Sequence, residues 1–293
     1  MKATHKAYLE LHIAVLLFGF TAILGDLISV SALSLVWWRV LITSLSLVLL
    51  LKGLGFLQNF SREEKWRFAG IGVLVALHWL TFYGAIKIGN ASVALVGLAT
   101  TAFMTALLEP LLLRTRFSRL ELMLGIVIVP AMGLIVRDLE GDMLLGLGVA
   151  LVSAFFATLF SILNKKWMGR HSPMQITFLE LGSAWAFLSL LLPFYTIGWG
   201  DFLPRAADWL YLLVLSLLCT TLAYVLALRS LRELSAFASN LTINLEPVYG
   251  ILLAMWILGE QRELSAYFYA GVAVLVVSVL GYGFLKGKNE KAG

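Results

Sequence analysis

The residues with the strongest claim to chemistry are ionisable and hydroxyl side chains placed deep inside long apolar runs. Arg39, His78, Glu180 and Glu246 each stand within a stretch dominated by Leu, Val, Ile, Ala and Phe. If such a stretch crosses a bilayer, a charged group at its centre costs about 2.5–3.5 kcal/mol to insert, so each needs a reason to be there. An arginine presents a planar fork of donors that holds a carboxylate or another anion in pairs. A glutamate can meet an amino group or carry a coupling proton, and a histidine can change charge near neutral pH. Thr100 and Thr101 add hydroxyls halfway along another apolar run, while Asn240 and Asn244, four apart, share one helical face. Read together, these eight residues are candidates for the lining of a hydrated cavity that binds and moves a small substrate. Each has a plainer reading as well. Arg39 could be a structural ion pair, His78 a hydrogen bond to a facing helix, and the asparagines packing contacts between helices.

Pro247 follows Glu246 directly. Its ring cannot donate to the carbonyl of Ile243, so a helix passing through it should kink, which makes Pro247 the candidate hinge. On a continuous helix Glu246 shares a face with Ser239, Thr242 and Tyr249, and Thr242 is expected beside it in the cavity. Asp26, Lys87, Glu109 and Glu260 fall near segment ends, where solvation or snorkelling is the simplest expectation.

Composition dictates the elements that must hold these groups. Sixty per cent of the 293 residues are hydrophobic and 13% are charged, against roughly 45–50% and 25% in soluble domains. Such a chain cannot cover its surface with polar groups and belongs in lipid. A spanning helix needs ~20 apolar residues, and ten segments qualify: Ala7–Ile28, Leu33–Leu51, Phe68–Lys87, Ala91–Leu113, Leu120–Val136, Leu144–Lys165, Met174–Tyr195, Trp209–Arg229, Ala236–Leu258 and Leu264–Leu285. The first is retained as a spanning helix rather than a cleaved signal, because no small-x-small cleavage pattern follows it. The net charge of +5 is distributed in short basic tracts between the segments. That arrangement speaks for membrane topology and against a nucleic-acid partner. With the N-terminus inside, 17 Lys and Arg fall on the inner side and four on the outer, Arg39 being the remaining one of 22. Both termini are therefore expected in the cytoplasm, in a bacterial-type inner membrane.

A weak internal repeat runs through the chain. Ala32–Arg39 aligns with Pro173–Glu180, and Arg116–Gly125 with Arg262–Gly271. Five helices per copy, an odd number, give the second copy inverted topology, a device by which carriers open a midplane site to either side in turn. Gly125, Gly133, Gly271 and Gly281 suggest close approach of the fifth and tenth helices. No phosphate-binding glycine loop, His/Cys metal cluster or Gly-x-Ser-x-Gly element is present. No cofactor is expected, and work must come from the substrate gradient or from coupled protons. An integral membrane enzyme using His78 with Glu246 or Glu180 as acid and base, or a non-transporting membrane sensor, are the competing readings.

Ala236–Gly281, with Asn244-Leu-Glu-Pro247, Leu258-Gly-Glu260 and Gly271, resembles the closing motif of the EamA-type repeat. Ala32–Leu51, carrying Arg39, is similar to its second helix. Leu77-His-Trp79 through Glu109-Pro110 is similar to members that carry His-Trp in the third helix. In the first repeat Thr100-Thr101 and Leu113-Arg114 replace the proline and closing Gly-Glu. The resemblance implies a drug/metabolite transporter superfamily protein: all-α, with ten transmembrane helices as two inverted five-helix repeats, here residues 1–138 and 139–293, and cytoplasmic termini. It implies export of amino acids or similar metabolites by alternating access. The expected partners are that small molecule and membrane lipid, with a homodimer left open.

Overall fold

The structure, a computed structural model, describes residues 3–114, 117, 123, 127, 130–135, 137, 139, 141–167, 169, 171–194, 202–230, 242–243, 245–262 and 264–292. Among them every extended element is a helix. In chain order these are α1 (Ala3–Leu27), α2 (Ala32–Leu50), α3 (Arg62–Ile88), α4 (Ala91–Ala99), α5 (Thr101–Leu113), α6 (Gly141–Trp167), α7 (Pro173–Leu191), α8 (Ala206–Leu213), α9 (Ala223–Ser230), α10 (Glu246–Leu253) and α11 (Ala266–Ala292). Among the described residues six helical stretches are long and apolar enough to cross a membrane, the sixth running over Ala206–Ala227 from α8 into α9, or seven if the bent pair α4–α5 is one span. Shorter apolar helices cover Glu246–Leu258 and Ala266–Ser278. The chain is an all-helical, multi-pass membrane protein.

Helix ends are made by local chemistry. Ser31 caps α2 by accepting from the Ser34 amide. Ser61 and Glu64 form a reciprocal capping box at the start of α3, with bonds of 2.7 and 3.2 Å. Asn90 Oδ1 caps α4 at Val93 N, 2.9 Å, and Pro173 opens α7, where no amide partner is needed. Asp208, in the first turn of α8, accepts from Ser29 N and Ser29 Oγ at 2.9 and 2.6 Å, tying α8 to the α1–α2 turn. Trp37, Trp38, Trp185, Phe202 and Trp209 pack on one another in edge-to-face and tilted contacts, a cluster of the kind found at membrane interfaces.

Two segments expected as continuous helices are broken. The fourth divides at Thr100, where α4 and α5 diverge by 43°. The ninth restarts at Glu246, and Pro247 lies in the first turn of α10 rather than mid-helix. Between α8 and α9 the backbone widens into a π-helix over Val214–Leu222. There the Thr220 and Thr221 hydroxyls donate to Leu215 O and Ser216 O at 2.7 and 3.0 Å. The core is one large cluster of buried Leu, Ile, Val, Ala and aromatic side chains centred on α3. α3 lies against α6 and α7, α4 against α6, α2 against α7, α4 against α10, and α1 against α9, α10 and the π-helix. Close approach of α3 and α7 depends on Gly72, where a Cβ would sit 2.2 Å from Glu180 O. Of the glycines expected to mark the fifth and tenth helices, Gly271 does abut Ala131 and Ile135, whereas Gly133 and Gly281 face open space and Gly125 lies outside the described residues.

Candidate functional site

Arg39, 3% exposed, is the only buried guanidinium among the described residues. Its Nε donates to Thr220 Oγ1 at 3.0 Å and one Nη donates to Tyr83 OH at 2.6 Å. The Trp79 ring lies under the guanidinium carbon, 3.9 Å from its centroid. The π-helix brings Thr220 to this position, and α3 supplies both rings from one face, since Trp79 and Tyr83 are one turn apart. No carboxylate among the described residues lies within ion-pair distance of Arg39. A desolvated guanidinium held by two hydroxyls and a ring, with no fixed counter-ion, keeps its attraction for a mobile anion.

The two helix breaks meet at one pocket of about 450 Å³. Leu98, Ala99 and Thr101 line it from the α4–α5 break, and Ile243, Glu246 and Pro247 from the break before α10. Leu275 and Val276 of α11 close it. Ile243 lines the pocket together with Glu246. Broken helices free backbone groups that a cavity can use, and they are tolerated in a membrane only where protein or a cavity covers them. The Thr100 and Thr101 hydroxyls satisfy two such carbonyls, donating to Gly97 O at 2.6 Å and Leu98 O at 2.8 Å.

His78 is held elsewhere. Its Nδ1 lies 2.8 Å from Ser153 Oγ and 3.1 Å from Ser153 O, while the Ser153 hydroxyl donates to His78 O at 2.9 Å. Ser153 O can only accept, so Nδ1 carries the hydrogen and joins α3 to α6. Glu180, 6% exposed, lies in a second pocket with Asn164, Thr177 and Tyr224. Arg39 and Glu180, aligned in the repeat, form no ion pair.

Both halves of the sequence, residues 5–137 and 144–282, match the EamA-like transporter family. The chain belongs to the EamA-like transporter family. A solved structure, "Crystal structure of protein", superposes over 98% of each chain with a TM-score of 0.65 at 14% identity, a likeness of fold. No curated protein matches the sequence.

In this EamA-like transporter, then, Thr101 and Glu246 come together in one pocket, and Pro247 lines it with them. Thr100 lies at the break itself, Arg39 is not among the residues that line this pocket, and His78 and Glu180 lie on the α3–α6–α7 side. Asn240 and Asn244 lie outside the described residues. Sequence reasoning missed the partners, Tyr83 and Thr220 for Arg39 and Ser153 for His78, and the place of Asn164 in one pocket with Glu180. It also misplaced Glu260. Rather than being solvated, Glu260 is 3% exposed and accepts from Ala91 N and Ser92 N at 3.0 and 2.9 Å, capping α4 from the far half of the chain. The Leu258-Gly-Glu260 motif was the signal available for it.

Proposed function

We propose that this EamA-like transporter is a secondary, non-ATP exporter of amino acids or similar zwitterionic metabolites, working by alternating access. In this reading ten helices form two inverted five-helix repeats, residues 1–138 and 139–293, in an inner membrane with both termini cytoplasmic. The observation that carries it is the convergence of two helix breaks, one per half, on the Glu246 pocket. Discontinuous helices in corresponding positions are where carriers place substrate and coupling ions. The packing supports the repeat: exchanging the halves turns the α4–α6 contact into α10–α1, and the α3–α6 contact into that of α1 with the π-helix and α9.

The substrate path is assigned to Arg39, His78, Thr100, Thr101, Glu180, Asn240, Asn244 and Glu246, with Pro247 as hinge. Arg39 attracts the substrate carboxylate. Glu246 meets its ammonium or carries the coupling proton. An enzyme using His78 with a glutamate would need them within hydrogen-bond reach, whereas the His78 Nδ1 is engaged by Ser153. Metabolite profiling of medium from cells overexpressing the chain tests the proposal. Amino acids should accumulate outside, and Glu246→Gln should abolish the excess. An unchanged profile would refute it.

A further inference from the structure

The second pocket, about 470 Å³, opens beside the α6–α7 turn and shares no lining residue with the Glu246 pocket. Its walls are mostly carbon, from Val75, Phe160, Ile176 and the Tyr224 ring. Asn164 and Glu180 contribute an amide and a carboxyl to its lining. Glu180 Oε1 and Asn164 Oδ1 are both buried with no protein donor in hydrogen-bond reach. The Thr177 hydroxyl donates to Pro173 O at 3.0 Å, so it too has only lone pairs to offer. Lys165, the cation next to Asn164 in sequence, pairs with Glu109 instead. Buried acceptors facing no donor are costly unless something supplies N–H groups.

Each feature narrows the occupant. A bare alkali or alkaline-earth ion wants six or so oxygens around it, and here a few side-chain oxygens stand among mostly apolar walls. A quaternary ammonium brings charge without N–H. A zwitterion would bury its own carboxylate where the pocket lining offers no arginine, lysine or histidine. A primary ammonium with an apolar body satisfies all of it: N–H donors for the two acceptors, charge for Glu180, and hydrocarbon or a ring against Phe160 and Tyr224.

We propose that the Glu180–Asn164 pocket is a second ligand site, selective for apolar primary amines over amino acids. This site gives Glu180 a role apart from the amino-acid path, and it stands whether or not the chain exports amino acids, because it is read from a pocket that shares no lining residue with that of Glu246 and is tested by binding.

The probe is 2-phenylethylamine, titrated calorimetrically into the purified full-length protein in lipid nanodiscs. Phenylalanine, phenyltrimethylammonium, 2-phenylethanol and sodium chloride serve as comparison ligands. The amine should bind at least ten-fold more tightly than any of them, since a site built to hydrogen bond rejects analogues that leave its groups unpaired. Glu180→Gln and Asn164→Leu should each weaken amine binding at least ten-fold without altering the melting of the unliganded protein. The comparison among ligands uses wild-type protein alone, so it decides the matter even if a variant fails to fold. Equal binding of phenylalanine or the quaternary compound, a sodium response matching that of the amine, or no amine binding at all would overturn the proposal.

Discussion

Replacing Glu260 removes the one carboxylate that joins the end of the second half to the beginning of α4. In Glu260→Ala the amides of Ala91 and Ser92 lose acceptors 3.0 and 2.9 Å away at a site that is 3% exposed. Each buried donor left unpaired costs about 1–3 kcal/mol, and an anion at a helix N-terminus contributes about 0.3–1 kcal/mol more. Burial works against this, pushing the Glu260 carboxyl above its usual range despite the bonds from Ser92 and Ala91. The net loss should be about 2–4 kcal/mol for Ala and roughly half that for Gln, which keeps one acceptor. A folded pKa raised above the unfolded one stabilises at low pH and is lost as pH rises through the folded value. The gap between wild type and Glu260→Gln should therefore be widest in acid and narrow as Glu260 ionises. Unfolding in mixed micelles at several pH values measures both. A Glu260→Ala protein within about 0.5 kcal/mol of wild type, the usual range of surface changes, would refute the cap.

Three further outcomes are expected. Arg39→Lys keeps the charge but cannot reach Tyr83 and Thr220 together, so transport should fall ten-fold or more with the folded yield nearly unchanged; loss of folded protein would make Arg39 a structural tie instead. Arg114 ends α5 at φ 56°, the left-handed position that Gly259 takes after Leu258, so Arg114→Gly should raise stability by about 0.5–1 kcal/mol, and a lower melting temperature would contradict that strain. Gly72→Ala should lower stability by about 1–3 kcal/mol through overpacking against Glu180 O, while Gly70→Ala, with open space around it, should show no comparable loss in the same melt.

The sequence made the membrane helices legible because hydropathy acts over ~20 residues and needs no partner. It also singled out Arg39, Glu180 and Glu246, since an ionisable group in an apolar run stands out without any three-dimensional knowledge. What it hid was tertiary. The break at Thr100 has no proline to announce it, and the π-helix that delivers Thr220 to Arg39 follows from threonine hydroxyls bonding five residues back. Glu260 and Ala91 are far apart in sequence, so their contact leaves no local trace. Asn164 carries no signal in the sequence, and only tertiary packing brings it into one pocket with Glu180. Pro247 was readable as a disruption, but not as the first turn of a new helix.

The central claim is that Glu246, at the meeting of the two breaks, couples transport. Purified protein reconstituted in liposomes, with labelled substrate flux followed under an imposed pH gradient, tests it most directly by comparing wild type with Glu246→Gln. Gln preserves shape and hydrogen bonding but cannot titrate. Wild-type flux should respond to the gradient, and Glu246→Gln should either lose flux or retain it with no dependence on the gradient. Gradient-dependent flux at the wild-type rate in Glu246→Gln would contradict the account.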